Sequence, residues 1–413
     1  DKEQIIIIDS KAQIKKIQID NLLISSQRDF DFHIDFSNNT ISKRIQVRTG
    51  ELIIDGLNFD VSGHLTYNGI PNISLSVKGH KVKIEEIIKL LPEKYSKLFK
   101  DYNSKGELIY NFNMDGIINR TNIPSISSNF NIINGEIRND KLGIAFTNIN
   151  LKGSFSNGKN RNSESSYINL DNFSLLWNKG SIKGYAKLYN FSNLTFDAKI
   201  DCNLPLDIIH KFIQLKEIKQ LSGQLNINLQ LNGDIKSFGN ISNNGFTNIK
   251  MIGKGNLKSL NYSDTRLPYP INNLSTNFIF DNSTIKIENL NANLGNSSIN
   301  FNGQVENILP YIFKQRKEFD LNGNLKVGSF KINDWLKSSD KKQNDNSKKG
   351  NDNLKLNTVS RFGLPTFLNT NIKAEFAKLV YEKTEMNNFK AIIKLYNGNL
   401  SLEEMSFLAY GGE

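Results

Sequence analysis

Apolar residues fall on every second position through most of this 413-residue chain. The cleanest run is Leu225, Ile227, Leu229 and Leu231, interleaved with Gln224, Asn226, Asn228, Gln230 and Asn232. Leu108, Tyr110, Phe112 and Met114 alternate in the same way with Glu107, Ile109, Asn111, Asn113 and Asp115. Successive side chains of a pleated strand project to opposite faces, so each run predicts a β-strand with one apolar and one polar side. The alternation returns in Ile285 and Ile287 with Leu290, in Ile299 with Phe301, and in Leu395 followed by Leu400 and Leu402. Between the runs stand Asp55-Gly56, Asn68-Gly69, Asp115-Gly116, Asn134-Gly135, Asn232-Gly233, Asn302-Gly303, Asn322-Gly323 and Asn397-Gly398. Such pairs suit turns that require positive φ, which makes consecutive strands antiparallel neighbours. A few are expected inside strands instead, as bulges that let a sheet bend.

Helical periodicity is confined to short stretches. Ile84, Ile87, Ile88 and Leu91 share one face of a predicted helix, with Pro92 placed to open a second turn. Leu206 to Ile218 is the other, its stripe made by Ile208, Ile209, Phe212, Ile213 and Leu215. Each follows an alternating strand and precedes another, so both read as connectors that cap or cross one end of a sheet.

A weak internal repeat runs through the body at an offset of 117 residues. Gly106-x-Leu108 through Gly116 falls on Gly223-x-Leu225 through Gly233, and Ile168 to Phe173 falls on Ile285 to Leu290. The spacing is too long for an ordinary solenoid and suggests a duplicated module of several strands, about 106–220 and 223–336, within an elongated body 1–337. Ser338 to Asn353 has no apolar residue to bury and reads as a flexible polar loop or linker. An alternating β region, 354–413, follows it.

Composition narrows the function. Apolar residues make up 38% of the chain, below the roughly 45–50% of globular domains, while aromatics at 10% are too many for disorder. A chain past ~250–300 residues with so thin a core is several domains or one elongated body. The longest aliphatic run is Ile5 to Ile8, and no stretch approaches the ~18 apolar residues of a membrane-spanning helix. The net charge of +11 comes from dispersed lysines, which argues against a nucleic-acid site. One cysteine, Cys202, and four scattered histidines, His33, His64, His80 and His210, leave no internal disulfide and no local metal cluster. No nucleophile elbow, zinc-protease helix, phosphate loop or Cys-x-x-Cys pair is present. Adjacent acids such as Glu85-Glu86 and Glu403-Glu404 point apart on a strand or helix and read as solvated surface. The expectation is a non-enzymatic protein with no cofactor, no metal and no catalytic residue.

Many strands, each apolar on one side, need that side covered, and the helices are too few. Either two sheets pack face to face as a sandwich or barrel, or one long sheet curls so that its apolar side lines a groove. Length and low apolar fraction favour the second: a mainly β fold, a long curved antiparallel sheet forming a hydrophobic groove, with a few short connector helices. A groove without convergent polar groups suits acyl chains better than a small polar ligand. Its expected lining is Leu108, Tyr110, Phe112, Met114, Leu225, Ile227, Leu229, Leu231, Ile285, Ile287, Ile299, Phe301, Leu400 and Leu402.

The closing stretch carries Phe362-Gly363-Leu364-Pro365, Ile372-Lys373-Ala374, Leu379-Val380-Tyr381, Asn387-Asn388-Phe389-Lys390-Ala391, Asn397-Gly398-Asn399-Leu400-Ser401-Leu402 and Ala409-Tyr410-Gly411-Gly412. In that order these resemble the C-terminal β region of the AsmA-like family, relatives of TamB. Leu75-Ser76-Val77-Lys78-Gly79 followed by Ile84 to Leu91 is similar to that family's strand-then-helix unit. The Ser338 to Asn353 insert has no counterpart there. What the resemblance implies is a periplasmic protein anchored to the inner membrane by an upstream helix. It would conduct phospholipid between the inner and outer membranes, support outer-membrane assembly and meet protein partners in the periplasm or outer membrane. Asp1 is not an initiator methionine and the chain stops in what reads as mid-element, in keeping with a piece of a longer protein. The competing expectation is a structural or adhesive surface protein of stacked β-sandwiches without lipid cargo.

Overall fold

The computed structural model describes residues 3–15, 17–19, 22–25, 28–90, 100–119, 121–213, 218–235, 246–264, 269–312, 316–333 and 366–409. It is mainly β, as the alternation predicts, and divides into two units, Asp1–Ala198 and Lys199–Glu413. The polar segment Ser338 to Asn353, the quartet Phe362 to Pro365 and the closing Tyr410, Gly411 and Gly412 lie outside the described residues.

In the first unit β1 (Glu3–Ile14) pairs with β4 (Arg28–Asn39), the two prolonged by a small two-stranded pairing of β2 (Ile17–Ile19) with β3 (Leu22–Ser25). From β4 the sheet advances in chain order through β5 (Arg44–Ile54), β6 (Leu57–Thr66) and β7 (Asn72–Lys83). It continues through β8 (Asn103–Ile117), β9 (Ser125–Asn139), β10 (Ile144–Ser156), β11 (Tyr167–Trp177) and β12 (Gly180–Tyr189), every pair antiparallel. Helix α1 (Ile84–Leu90) joins β7 to β8. The unit boundary falls inside β13 (Thr195–Pro205).

In the second unit α2 (Leu206–Ile213) leads into β14 (Ile218–Ile235), so Ile218, expected at the end of a helix, instead opens a strand. Its Leu221, Leu225 and Ile227 keep the two-residue period, which outweighs the short helical stripe before it. The sheet then runs antiparallel through β15 (Phe246–Asp264), β16 (Ile271–Asp281), β17 (Thr284–Leu294), β18 (Ser297–Glu306) and β19 (Phe319–Lys331). A third helix, α3 (Ile308–Ile312), too short to announce itself by periodicity, joins β18 to β19. β20 (Leu368–Tyr381) pairs with β21 (Thr384–Tyr396), and that with β22 (Asn399–Leu408), both antiparallel.

Two expectations change. First, β19 and β20 are parallel, Phe319 opposite Leu368 and Val327 opposite Phe376. A parallel pair needs a connection that returns the chain to its starting end, and the polar segment of the sequence falls within that crossover. Second, most Asn-Gly and Asp-Gly pairs sit inside strands. Asp55-Gly56, Asn68-Gly69 and Asn397-Gly398 make turns, but Asp115-Gly116, Asn134-Gly135, Asn232-Gly233, Asn302-Gly303 and Asn322-Gly323 lie within β8, β9, β14, β18 and β19.

The reason is bending and close packing. Asn134, Asn148, Ser259, Asn273, Asn289, Asn388 and Glu404 hold left-handed backbone in mid-strand, and the strand registers shift beside them. Asparagine tolerates that conformation better than most residues, and a bulge twists and bends its strand. The freed amides are captured by side chains of an adjacent strand: Asn134 N–H donates to Asn150 Oδ1 at 3.1 Å, Asn273 N–H to Asn261 Oδ1 at 3.1 Å, and Asn289 N–H to Asn302 Oδ1 at 2.7 Å. The abundance of asparagine is thus put to use in the sheet. Gly106 and Gly223, 117 residues apart, share positive φ (118° and 125°) and an adjacent register shift, and the strands at Leu170/Phe173 and Ile287/Leu290 shift at the same offset.

Candidate functional site

Strand register decides which alternating residues share a face. On β14, Leu225, Ile227, Leu229 and Leu231 oppose Leu257, Gly255, Gly253 and Met251 of β15. Gly255 and Gly253 in turn oppose Phe278 and Phe280 of β16, and these oppose Ile287 and Ile285 of β17. Past the Asn289 bulge the set continues, Leu290 opposite Phe301 and Ala292 opposite Ile299. It crosses β19 at Leu325 and Val327, β20 at Ala374 and Phe376, and β21 at Ala391 and Phe389. At β22, Leu402 opposes Ile393 and Leu400 opposes Leu395. Ten of the fourteen expected lining residues, all those from Leu225 to Leu402, therefore lie on one apolar face that runs from β14 to β22.

The other four lie on the apolar face of the first unit. Leu75, Val77, Gly79 and Val82 of β7 oppose Met114, Phe112, Tyr110 and Leu108 of β8. On the far side these meet Ile126, Ser128, Phe130 and Ile132 of β9. The hydroxyl of Tyr110 is held above its ordinary value by burial, partly offset by the nearby Ser128 hydroxyl. It is a neutral phenol in an apolar surround at physiological pH.

Glycines opposite aromatics keep the face smooth. Gly303 and Gly323 face each other across β18 and β19, and the Phe301 ring lies over both. A Cβ at Gly303 would stand 2.5 Å from Phe301 Cζ, and one at Gly323 2.8 Å, so neither position has room for a side chain. Phe278 covers Gly255 in the same manner.

The reverse side is polar and cross-linked. Asn203 donates to Asn226 Oδ1 at 2.6 Å and Asn226 to Asn256 Oδ1 at 3.0 Å, with Gln224 bonded to Asn203 and Asn228 to Asp201. Such a row satisfies its amides across neighbouring strands, and it fixes which side of β13 to β15 is wet.

Among the described residues no large side chain is fully buried. Helix α2 packs on β14, α1 on β7 and β8, and α3 on β19, each at the end of the strands it connects. The best-packed cluster joins Phe301, Val327, Ile372, Ala374, Phe376, Leu379, Phe389 and Ala391. A second gathers Met251, Phe278 and Phe280 with Leu225, Ile227, Leu229 and Leu231 at its margin, half-buried. Leu400 and Leu402, on the last strand, are 52% and 42% exposed.

Sequence reasoning missed part of this face. Ile372, Ala374 and Phe376 alternate with Lys373 and Glu375 and carry the same signal as the strands it found. Phe278 and Phe280 were masked by Ile279 between them, which projects to the other side and is exposed.

Candidate chemistry is sparse. Among the described residues no group of His, Cys, Asp and Glu is placed to hold a metal ion. Burial raises the Cys202 thiol, a backbone hydrogen bond at Ile227 lowers it and the neighbouring Asp201 raises it; the net shift is upward, which keeps sulfur protonated and unreactive at neutral pH. His33 Nδ1 lies 3.0 Å from Asp9 Oδ1 at the surface. The side chains of His80 and His210 lie outside the described residues. A depression of about 320 Å³ at the Asn134 bulge is lined by Gly106, Glu107, Ile109 and Ile133, on the side opposite Leu108 and Tyr110. No described helix is long and apolar enough to cross a membrane.

The chain matches no family model, no curated protein and no solved structure. What the face can do is therefore read from its own chemistry, which is mainly aliphatic and aromatic, with few polar side chains such as Thr276 among them.

Proposed function

We propose that the apolar face binds lipid through its acyl chains, and that the protein carries phospholipid between membranes without catalysing a reaction. The observation that supports this reading is the continuous apolar side of β14 to β22, closely packed at its centre around Phe301, Phe376 and Phe389, half-buried at Leu225 to Leu231 and exposed at Leu400 and Leu402. Burying apolar surface is worth about 25 cal/mol per Å², so an acyl chain laid along such strands gains affinity without a single directed bond. Affinity distributed in this way over many equivalent positions is what sliding transport requires, since no one contact must be broken outright to move the cargo.

The resemblance of the closing strands to the AsmA-like family supports a periplasmic setting, an inner-membrane anchor outside these residues, delivery toward the outer membrane and protein partners at either end. A stacked-sandwich surface protein is less well supported, because within each unit the strands follow one another in a single sheet rather than in two packed layers.

The test is native mass spectrometry with organic extraction of the purified chain. Phospholipid is expected to co-purify, and Ile227→Asp is expected to remove most of it while far-UV circular dichroism keeps its strand signal. A protein that is folded, lipid-free and unable to take up phospholipid from vesicles would exclude the reading.

A further inference from the structure

The first strand breaks the alternation that governs the rest. Ile5, Ile6, Ile7 and Ile8 are consecutive, so β1 is apolar on both sides, and Ile5 and Ile7 are 61% and 73% exposed. One edge of β1 is paired with β4; among the described residues its other edge is paired with nothing. An exposed, straight, aliphatic edge strand is a template for another strand, and proteins normally blunt such edges with charge, proline or bulges. None interrupts Ile5 to Ile8.

We propose that β1 is a dimerisation edge, at which two copies of the chain pair antiparallel about a two-fold axis that passes through Ile7. Symmetry and charge select this register. A two-fold axis perpendicular to the sheet keeps both apolar faces on the same side, so opposed residues must come from the same side of the strand. With Ile7 on the axis, Glu3 stands opposite Lys11 of the second copy, twice over, and Ile6 opposite Ile8; Ile5 then faces Asp9, and the paired charges decide the register. With Ile6 on the axis, Glu3 would instead face Asp9, a repulsion repeated by symmetry. With Ile8 on the axis, Ile5 would face Lys11 and Ile6 would face Ser10, and the isoleucine matches are lost. Lys11 already reaches Asp31 of β4 at 3.2 Å, so in the pair it lies between two carboxylates.

The last strand supplies the contrast. Glu403 and Glu404 stand in the middle of β22, and Glu404 holds left-handed backbone there, so this edge carries the charge and the bulge that β1 lacks. That edge is blunted, whereas β1 is complementary to itself. Pairing through β1 would also extend the apolar side of the first unit across the axis, through Ile6 and Ile8.

The test is sedimentation velocity on the whole chain and on Ile7→Lys and Ile7→Glu, separately and mixed in equal amounts. The wild-type chain is expected to be a concentration-dependent dimer. Each variant alone places like charges together on the axis and is expected to raise the dissociation constant by at least about tenfold. The mixture is expected to form a heterodimer, because only residues that face each other can exchange repulsion for attraction. The substituted side chain is mostly in solvent, and unchanged circular dichroism would show that the fold is kept. A wild-type chain that stays monomeric, a variant that still dimerises, or a mixture that fails to associate would each overturn the proposal.

Discussion

Ala374 and Leu402 stand on the same apolar side, two strands apart, yet the first is 2% exposed and the second 42%. Ala374 is flanked by Leu325 of β19 and Ala391 of β21, with Phe376 and Phe389 stacked edge to face beside it at 5.9 Å between ring centres. Among the described residues Leu402 has a neighbouring strand on one side only. In a sheet without a second layer, burial comes sideways from adjacent strands and their rings, so a residue's place in the strand order matters more than its hydrophobicity. The interior of such a sheet behaves as a core while its last strand behaves as a surface.

That difference can be broken from its buried end. Ala374→Asp places a carboxylate among packed aliphatic and aromatic groups and is expected to cost on the order of 3 kcal/mol or more, seen as a large loss of urea midpoint. Phe301→Ala uncovers the Gly303 and Gly323 backbone and leaves a void in the same cluster; a cost of about 3 kcal/mol is expected, with no gain in lipid binding to offset it. Leu402→Asp sharpens the contrast, because the same charge on the bare strand is expected to change stability by less than about 1 kcal/mol while reducing lipid uptake from vesicles. An unfolding penalty for Leu402→Asp as large as that for Ala374→Asp would mean that β22 is covered after all.

Much of the fold was legible because one physical rule, side-chain alternation, governs nearly every strand. Leu225 to Leu231 announced both the strand and its apolar side, and register then joined it to residues far along the sequence. The rule fails where local pattern and pairing separate. Nothing in Asn302-Gly303 distinguishes a turn from a strand whose glycine lies beneath a phenylalanine, since the ring that demands the glycine is two residues away and the second glycine is on another strand. The parallel joint of β19 to β20 was equally hidden, because both strands alternate as antiparallel ones do. Alternation puts the candidate residues on the apolar sides of their strands, but it says nothing of their degree of exposure, as Phe301 and Leu400 show. Exposure depends on neighbours that the alternation does not name.

The parallel joint also orders events in time. Through β14 to β19 each new strand folds back on the one before it, so the sheet can grow by local hairpin steps with little loop-closure entropy at each. β20, β21 and β22 form a second such series among themselves, but they reach β19 only after the chain has travelled the whole crossover. Refolding of this unit should therefore pass through two preassembled pieces and finish with one slower docking event. Until that event occurs, β19 and β20 each present a bare edge, and this is the interval in which the chain is most exposed to mispairing.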